Sequence, residues 1–498
     1  MKLFLDGDIN VYYIQTLCMI FFPGEKFGAA AQNEPDAPEL CLKLTKRAKG
    51  YSAKVTVKFN GEKVGCSRAL DFSPYFTEEK TAKMVCGAAI ISAWGELLGY
   101  RPSWGMLTGV RPSKVATDLL RHGVSKTRTK RILTNEYFVI PKKAALATDV
   151  ALAEQKMIGT PDAHDCSMYI SIPFCPTRCS YCSFVSYTSK KLLNLIPDYL
   201  VKLKADLRAN FQTIRNLGLR LKTIYIGGGT PTILSADQLR ELLSLINEET
   251  DVSALEEFTL EAGRADTITA EKLAVAKEYG VTRTCVNPQT LCDEVLANVG
   301  RCHTAEDFFR AYEIARNSGI PVINTDLIVG LPGDNFKTFS KTFDQILALR
   351  PENITVHTFC VKKAADILRQ DSHIYSLRGG DAGKCVDYSQ LKTQQEGYKP
   401  YYMYRQKNTV GNFENVGFAL EGRESAYNIY MMEEVHSIIA VGAGAVSKLV
   451  DYQPQNGGNP LIERMFYPKY PYEYLRDEST QEKCERLEAF YREQGLLK

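Results

Sequence analysis

Residues 167–182 read Ser-Met-Tyr-Ile-Ser-Ile-Pro-Phe-Cys175-Pro-Thr-Arg-Cys179-Ser-Tyr-Cys182, an apolar segment that runs straight into three cysteines spaced CxxxCxxC. Three thiolates on one tight loop can hold three irons of a [4Fe–4S] cube and leave the fourth iron open to a non-protein ligand. An electron-transfer cluster takes four cysteines, so three at this spacing point to a cluster that binds a substrate or cosubstrate. Structural zinc needs a second paired ligand set, and the neighbouring chain supplies no CxxC or HxxxH partner. With 14 cysteines in 498 residues the chain is too sparse in cysteine for a disulfide scaffold. The other cysteines are scattered and read as buried thiols.

Outward from that loop, the chain beyond Cys166 alternates short apolar strands with amphipathic helices. Strands are expected near 168–172, 223–226, 257–261, 283–287, 322–328 and 353–359, with helices near 197–216, 236–247, 270–279, 305–318 and 335–348. Ser235-Ala-Asp-Gln238 has the form of a capping box for the second helix. Repeated strand–helix units with parallel-type strands predict an α/β fold, a (βα)6 partial barrel over residues 161–364. Barrel sites lie at the C-terminal strand ends, and the cysteine loop follows the first strand, so it falls at that end.

The second strand is followed by Gly227-Gly-Gly-Thr-Pro-Thr232. This loop lacks the lysine of a P-loop and the GxGxxG spacing of a dinucleotide site. Its glycines suit close backbone approach to a small polar ligand. Further strand ends carry Glu261, Gln289 and Asp326, with Arg301 at a helix approach. Each alone is as readily a loop hydrogen bond as a ligand contact; together they mark successive strand ends converging on one pocket.

Residues 1–160 read as a separate α+β module of unassigned role. Val55–Phe59, Asn60-Gly61 and Glu62–Cys66 form a β-hairpin with a type I′ turn signal, and a helix starts at Thr77 and runs to about Leu98. The basic stretch Arg121 to Arg131 reads as a solvated helix face. Residues 365–498 read as a C-terminal α+β extension, expected to act as a substrate or cover domain. Its tyrosines, among them Tyr398, Tyr401, Tyr402, Tyr404 and Tyr427, suit a core more often than a ligand platform. A net charge of +3 implies neither a nucleic-acid nor a membrane partner. Asp6 and Asp8 precede the N-terminal apolar run, which argues against a signal peptide, and the run Tyr12–Phe22 is too short to span a bilayer. Unpaired cysteines and an oxygen-sensitive cluster place the expectation in a reducing cytoplasm.

In combination, Tyr169-Ile-Ser-Ile-Pro-Phe-Cys175 with CxxxCxxC, Gly227-Gly-Gly-Thr-Pro-Thr232 and Asp326-Leu-Ile-Val-Gly-Leu-Pro332 resemble the oxygen-independent coproporphyrinogen III oxidase family of radical S-adenosylmethionine (radical SAM) enzymes. The resemblance covers about residues 166–450. Thr355-Val-His-Thr-Phe359, Tyr401-Tyr-Met-Tyr-Arg-Gln-Lys407 and the long N-terminal module look like its coproporphyrinogen dehydrogenase (HemZ) branch. The resemblance implies cluster ligands at Cys175, Cys179 and Cys182. It implies SAM contacts at Tyr169, Tyr181, Gly228, Gly229, Thr230, Glu261, Gln289, Arg301 and Asp326, and the steps of 12 and 25 residues from Gln289 to Arg301 to Asp326 match the family's. It further implies oxidative decarboxylation of coproporphyrinogen III propionates in porphyrin and haem biosynthesis, fed by a low-potential donor such as flavodoxin or ferredoxin. Arginines and lysines would meet the propionates, with Arg264, Arg405, Lys362 and Lys363 as candidates.

Three positions depart from the best-known members: Phe184 stands where they have a fourth cysteine, Ser171 where they have histidine, and Glu261-Ala-Gly-Arg264 where they have a Glu-x-x-Pro phrase. A related haem-chaperone branch carries a His-Asn-x-x-Tyr-Trp phrase. The corresponding Tyr427-Asn-Ile-Tyr-Met-Met432 lacks that histidine, which leaves His436 or His357 as other haem-binding residues.

Overall fold

The computed structural model describes residues 1–27, 36–182, 186–360, 380–406, 409–453 and 460–496. They form two compact units, one of residues 1–153 with 380–383 and 403–414, the other of residues 154–360, 384–402 and 415–496.

In the first unit, β1 (Lys2–Asp6) leads through α1 (Val11–Phe21) to β2 (Glu39–Arg47), which lies parallel to it. β3 (Gly50–Phe59) and β4 (Glu62–Asp71) complete the four-stranded sheet in the order β1-β2-β3-β4. Asn60 (φ 49°) and Gly61 (φ 80°) are both left-handed, as a type I′ hairpin turn requires. The Thr77 side chain accepts from the Lys80 N–H to cap α2 (Glu78–Leu98). That helix is long and apolar enough to cross a membrane by length and composition, but 61% of its apolar window is buried within the protein. Beyond it come α3 (Ser113–Arg121), α4 (Lys126–Asn135) and α5 (Pro141–Ile158). The basic cluster is largely spent locally: Lys126 and Lys130 pair with Asp149, and Arg128 lies over the Tyr75 ring.

The second unit is built on β5 (Asp165–Ile172), β6 (Arg220–Gly228), β7 (Glu257–Gly263), β8 (Arg283–Val286), β9 (Val322–Val329) and β10 (Asn353–Thr358), all mutually parallel in chain order. The intervening helices are α6 (Ile196–Asn216), α7 (Ala236–Glu249), α8 (Ala270–Glu278), α9 (Ala305–Asn317) and α10 (Phe336–Leu349). Each of these elements lies within about three residues of its expected position. Ser235 and Gln238 form the reciprocal capping box at the start of α7.

The tail departs from the expected third domain over 365–498. After α11 (Gly380–Gln395), β11 (Lys399–Tyr404) and β12 (Asn415–Ala419) extend the sheet beyond β10; after α12 (Ala426–Glu433), β13 (Ser437–Val441) adds parallel to β5, followed by β14 (Val446–Asp451) and β15 (Leu461–Phe466). The result is one eleven-stranded sheet. The physical reason is the edge problem: the outer strands of the partial barrel present unpaired backbone groups, and the tail strands pair with them.

The tail also closes the N-terminal end of the barrel. Glu257 on β7 accepts from Ser425 Oγ (2.9 Å) and the Ala426 N–H (2.9 Å), and its carboxylate is 3.1 Å from Arg283 Nε. Arg283 donates to Asn324 Oδ1 (2.7 Å) and to the Arg423 and Glu424 carbonyls. Above this floor, Tyr427 stacks 4.6 Å from Tyr225 and 6.4 Å from Tyr169. The Tyr427 stretch is therefore barrel core.

Candidate functional site

Alternation along β5 puts Ser167, Tyr169 and Ser171 on one face, and the last of these lies at the strand's C-terminal end, where the chain turns into the cysteine loop. Two backbone bonds fasten the glycine loop after β6 to the segment entering that turn: Gly229 N–H to Ile172 O and Thr230 N–H to Phe174 O, both 2.8 Å. The approach is so close that a Cβ on Gly229 would lie 2.5 Å from the Phe174 carbonyl oxygen. A side chain at Gly227 would meet the Glu261 carboxylate at 2.7 Å. Glycine is required at both places by space.

The three cysteines sit on this platform. Cys175 Sγ lies 3.2 Å from the Thr230 hydroxyl, and the Cys182 N–H donates to the Cys179 carbonyl (3.0 Å). Burial pushes the Cys175 thiol up to about 11, with the Thr230 contact working the other way. Iron binding at such a thiol must release a proton. Among the described residues, no three His, Cys, Asp or Glu side chains converge on a single ion's position.

Opposite the loop, Glu261 at the end of β7 faces the Gly228 N–H and the Tyr225 hydroxyl. Its carboxyl is pushed up to about 8, first by burial and then by the charge of Asp326. Asp326 on β9 is oriented by Asn287, whose Nδ2 donates to Asp326 Oδ2 (2.8 Å) while its Oδ1 accepts from the Asp326 N–H (3.1 Å). His357 Nε2 lies 3.9 Å from the same carboxylate. Gln289 occupies left-handed backbone (φ 66°), locked by its N–H to Asp326 O and its carbonyl to the Ile328 N–H. Its buried Oε1 has no hydrogen-bond partner among the described residues. Strained backbone and an unsatisfied buried polar atom occur together where a ligand is to be met. Arg301 is buried, donating from Nε to the Tyr181 hydroxyl (3.1 Å) and from Nη1 to the Asn287 carbonyl (2.5 Å).

These contacts bring together Cys175, Thr230, Gly228, Gly229, Glu261 and Asp326, and link Tyr181, Arg301 and Gln289 to them through Asn287 and the Asp326 backbone. Tyr169 lies deeper, in the tyrosine stack with Tyr225 at 6.1 Å. Sequence reading missed Asn287, which ties Asp326 to Arg301; its signal was the Asn287-Pro-Gln289 step directly after β8. At the Gly442-Ala-Gly444 turn, Ser171 Oγ donates to Ala443 O (2.9 Å) and a Cβ on Gly442 would lie 2.7 Å from Ser171 O.

Several propionate and haem candidates are corrected. Arg264 is buried and committed to Asp266 and to the cysteine loop. Arg405 belongs to the first unit, donating to Leu107 O (2.6 Å) and Asn412 Oδ1 (2.8 Å). Lys362 and Lys363, like Phe184, lie outside the described residues. His436 is a core histidine, with Nε2 2.8 Å from Ser167 Oγ and its ring against Tyr430.

The Radical SAM superfamily model matches residues 169–346. The chain is 35% identical over 508 aligned positions, 98% of its own length and 95% of the other's, to the oxygen-independent coproporphyrinogen-III oxidase-like protein HemZ of Bacillus subtilis. It is 32% identical to the heme chaperone HemW of the same organism over 64% of this chain and 81% of that one. The fold is similar to that of coproporphyrinogen III oxidase (HemN) from Escherichia coli, with a TM-score of 0.50 and 21% identity over 66% of this chain and 72% of that one. Radical SAM proteins use a [4Fe–4S] cluster and S-adenosyl-L-methionine. The residues present fit both groups: neighbouring thiols, a glycine cradle that a side chain would fill, and the unpartnered Gln289 Oε1. By its near-complete coverage of a relative and by its barrel, the chain belongs to the oxygen-independent coproporphyrinogen-III oxidase-like family of radical SAM proteins.

Proposed function

We propose that this protein oxidatively decarboxylates coproporphyrinogen III propionates to vinyl groups, giving protoporphyrinogen IX. The observation that carries this reading is similarity along both units to a relative named as a coproporphyrinogen-III oxidase-like protein. Bound together, a reduced cluster and SAM supply a carbon radical able to take a hydrogen atom from the β-carbon of a propionate. Loss of CO2, with one further electron passed to a separate one-electron acceptor, then leaves the vinyl group.

The chain's residues have defined tasks in this reading. Cys175, Cys179 and Cys182 hold the cluster. The backbone of Gly228 and Gly229 and the Thr230 side chain border the amino and carboxylate groups of SAM, and the Glu261 carboxylate takes the ammonium. Gln289 offers its unpartnered oxygen, while Asn287 keeps Asp326 and Arg301 in place. Holding the reactive groups in one dry mouth converts a collision into an oriented encounter. A low-potential donor such as flavodoxin or ferredoxin supplies the electron, in the cytoplasm.

A second reading, haem binding or trafficking by a cluster-bearing barrel, is favoured by the similarity to HemW. The deciding experiment is an anaerobic assay of reconstituted protein with dithionite, SAM and coproporphyrinogen III, followed by mass spectrometry. Loss of two CO2 with 5′-deoxyadenosine formation supports the decarboxylase. SAM cleavage with unaltered porphyrinogen, or stoichiometric haem binding without cleavage, overturns it.

A further inference from the structure

Arg264 was a candidate for gripping a substrate carboxylate, and its surroundings leave it no fork for that task. The side chain is 4% exposed. Nε and Nη2 form a two-point pair with Asp266, at 2.9 and 2.8 Å. Nη1 turns the other way, onto the cysteine loop, donating to Thr177 Oγ1 (3.0 Å) and Thr177 O (3.2 Å). The same nitrogen lies 3.9 Å from Cys179 Sγ, a long but real contact for an N–H to the larger sulfur atom. The guanidinium is thus fixed on one edge by a carboxylate and presents its other edge to one cysteine. The neighbouring thiol Cys175 meets a neutral hydroxyl instead, from Thr230.

We propose that the Arg264–Asp266 pair sets the reduction potential of the cluster through the Cys179 sulfur, with Arg264 a positioning residue held in aim by Asp266. The inference rests on Cys179 being a cluster ligand, as read above. Reduction adds one negative charge to the cluster, shared by its sulfurs. A guanidinium N–H at one of those sulfurs favours the reduced form, and hydrogen bonds to sulfur are among the determinants of cluster potential. Burial strengthens the effect because little water screens it. Asp266 has two opposed effects: it fixes the guanidinium in place, and its own negative charge offsets part of the cation's. The pair therefore predicts shifts of opposite sign for its two members, which a purely structural brace does not.

The test is an anaerobic redox titration of the reconstituted full-length protein, followed by electron paramagnetic resonance of the reduced cluster, with iron measured in every sample. In Arg264→Met, the ratio of reduced to oxidised cluster at a fixed applied potential is expected to fall about tenfold, equivalent to 59 mV for a one-electron couple. Arg264→Lys, which keeps the charge without the fork, is expected to recover part of the loss. Asp266→Asn keeps an acceptor for the guanidinium and removes the opposing charge, so its ratio is expected to rise. An unchanged ratio in iron-replete Arg264→Met overturns the inference. Should that variant fail to retain iron, Asp266→Asn decides: a ratio that stays level or falls overturns it. Cys179→Ala, analysed for iron in parallel, reports on the ligand assignment separately, since full iron there defeats that assignment before any potential is compared.

Discussion

The two ends of the barrel in the second unit are both lined with polar side chains, and they differ in how completely those side chains are used. At the floor, Glu257 is met by Ser425, the Ala426 N–H and, as an ion pair, Arg283; the Arg283 terminal nitrogens reach Asn324 and two carbonyls of the tail, while its Nε makes no hydrogen bond among the described residues. At the mouth, the Gln289 oxygen has no partner among the described residues, and Glu261 faces Asp326, whose charge helps hold it protonated. Buried polar groups that satisfy one another hold structure, whereas an unsatisfied one on left-handed backbone beside two facing carboxyls points to a ligand. The difference separates a plug from a site within one continuous sheet.

The largest expected effect lies at the mouth. Cys179→Ala is expected to take bound iron from about four per chain to background and to abolish SAM cleavage; iron analysis with an assay for 5′-deoxyadenosine checks it, and retained cleavage would break the assignment. At the floor, Arg283→Met strands the buried Glu257 carboxylate, at a cost of about 3–5 kcal/mol. Chemical denaturation of the apo-protein measures that cost, and a variant as stable as the parent would mean that the floor is not the plug described.

Gln289→Ala sharpens the contrast by acting in the opposite sense. It removes an unsatisfied atom, so apo stability should hold, while SAM affinity falls by about tenfold for one lost hydrogen bond. Equilibrium binding and thermal denaturation together test this, and a stability loss like that of the floor variant would erase the distinction.

A further effect is a pH dependence at Glu261. Its carboxyl is pushed up to about 8 by burial and by Asp326, against about 4.3 for an exposed glutamate. Between those values the folded chain keeps a proton that the unfolded chain has lost, so apo stability falls as pH rises. SAM, whose ammonium favours the carboxylate, binds more tightly over the same rise. Glu261→Gln should flatten both trends, and a slope that persists in that variant would locate the titration elsewhere.

Much of this was legible in the chain. Periodicity placed β5 to β10 and the helices between them, because each strand and helix face repeats within a short window. The CxxxCxxC loop, the glycine run and the order of Glu261, Gln289, Arg301 and Asp326 were equally local signals. The fate of Arg264 and Arg405 was not legible, since a buried arginine and a substrate-binding arginine look alike in sequence. Nor was the placement of residues 384–496, whose strands could be recognised but whose pairing partners could not.

By itself, then, the sequence determined the repeating strand–helix units, the cluster spacing and the family, because these depend on residues close together along the chain. Only the tertiary structure decided that the tail completes the barrel sheet and plugs its floor, that Asn287 joins Asp326 to Arg301, and that Arg264 faces a cysteine. Those outcomes rest on hydrogen bonds between residues as far apart as Glu257 and Ser425, or Thr177 and Arg264. Such partners are chosen by which buried polar groups remain to be satisfied once the chain has packed, and no local pattern specifies that choice.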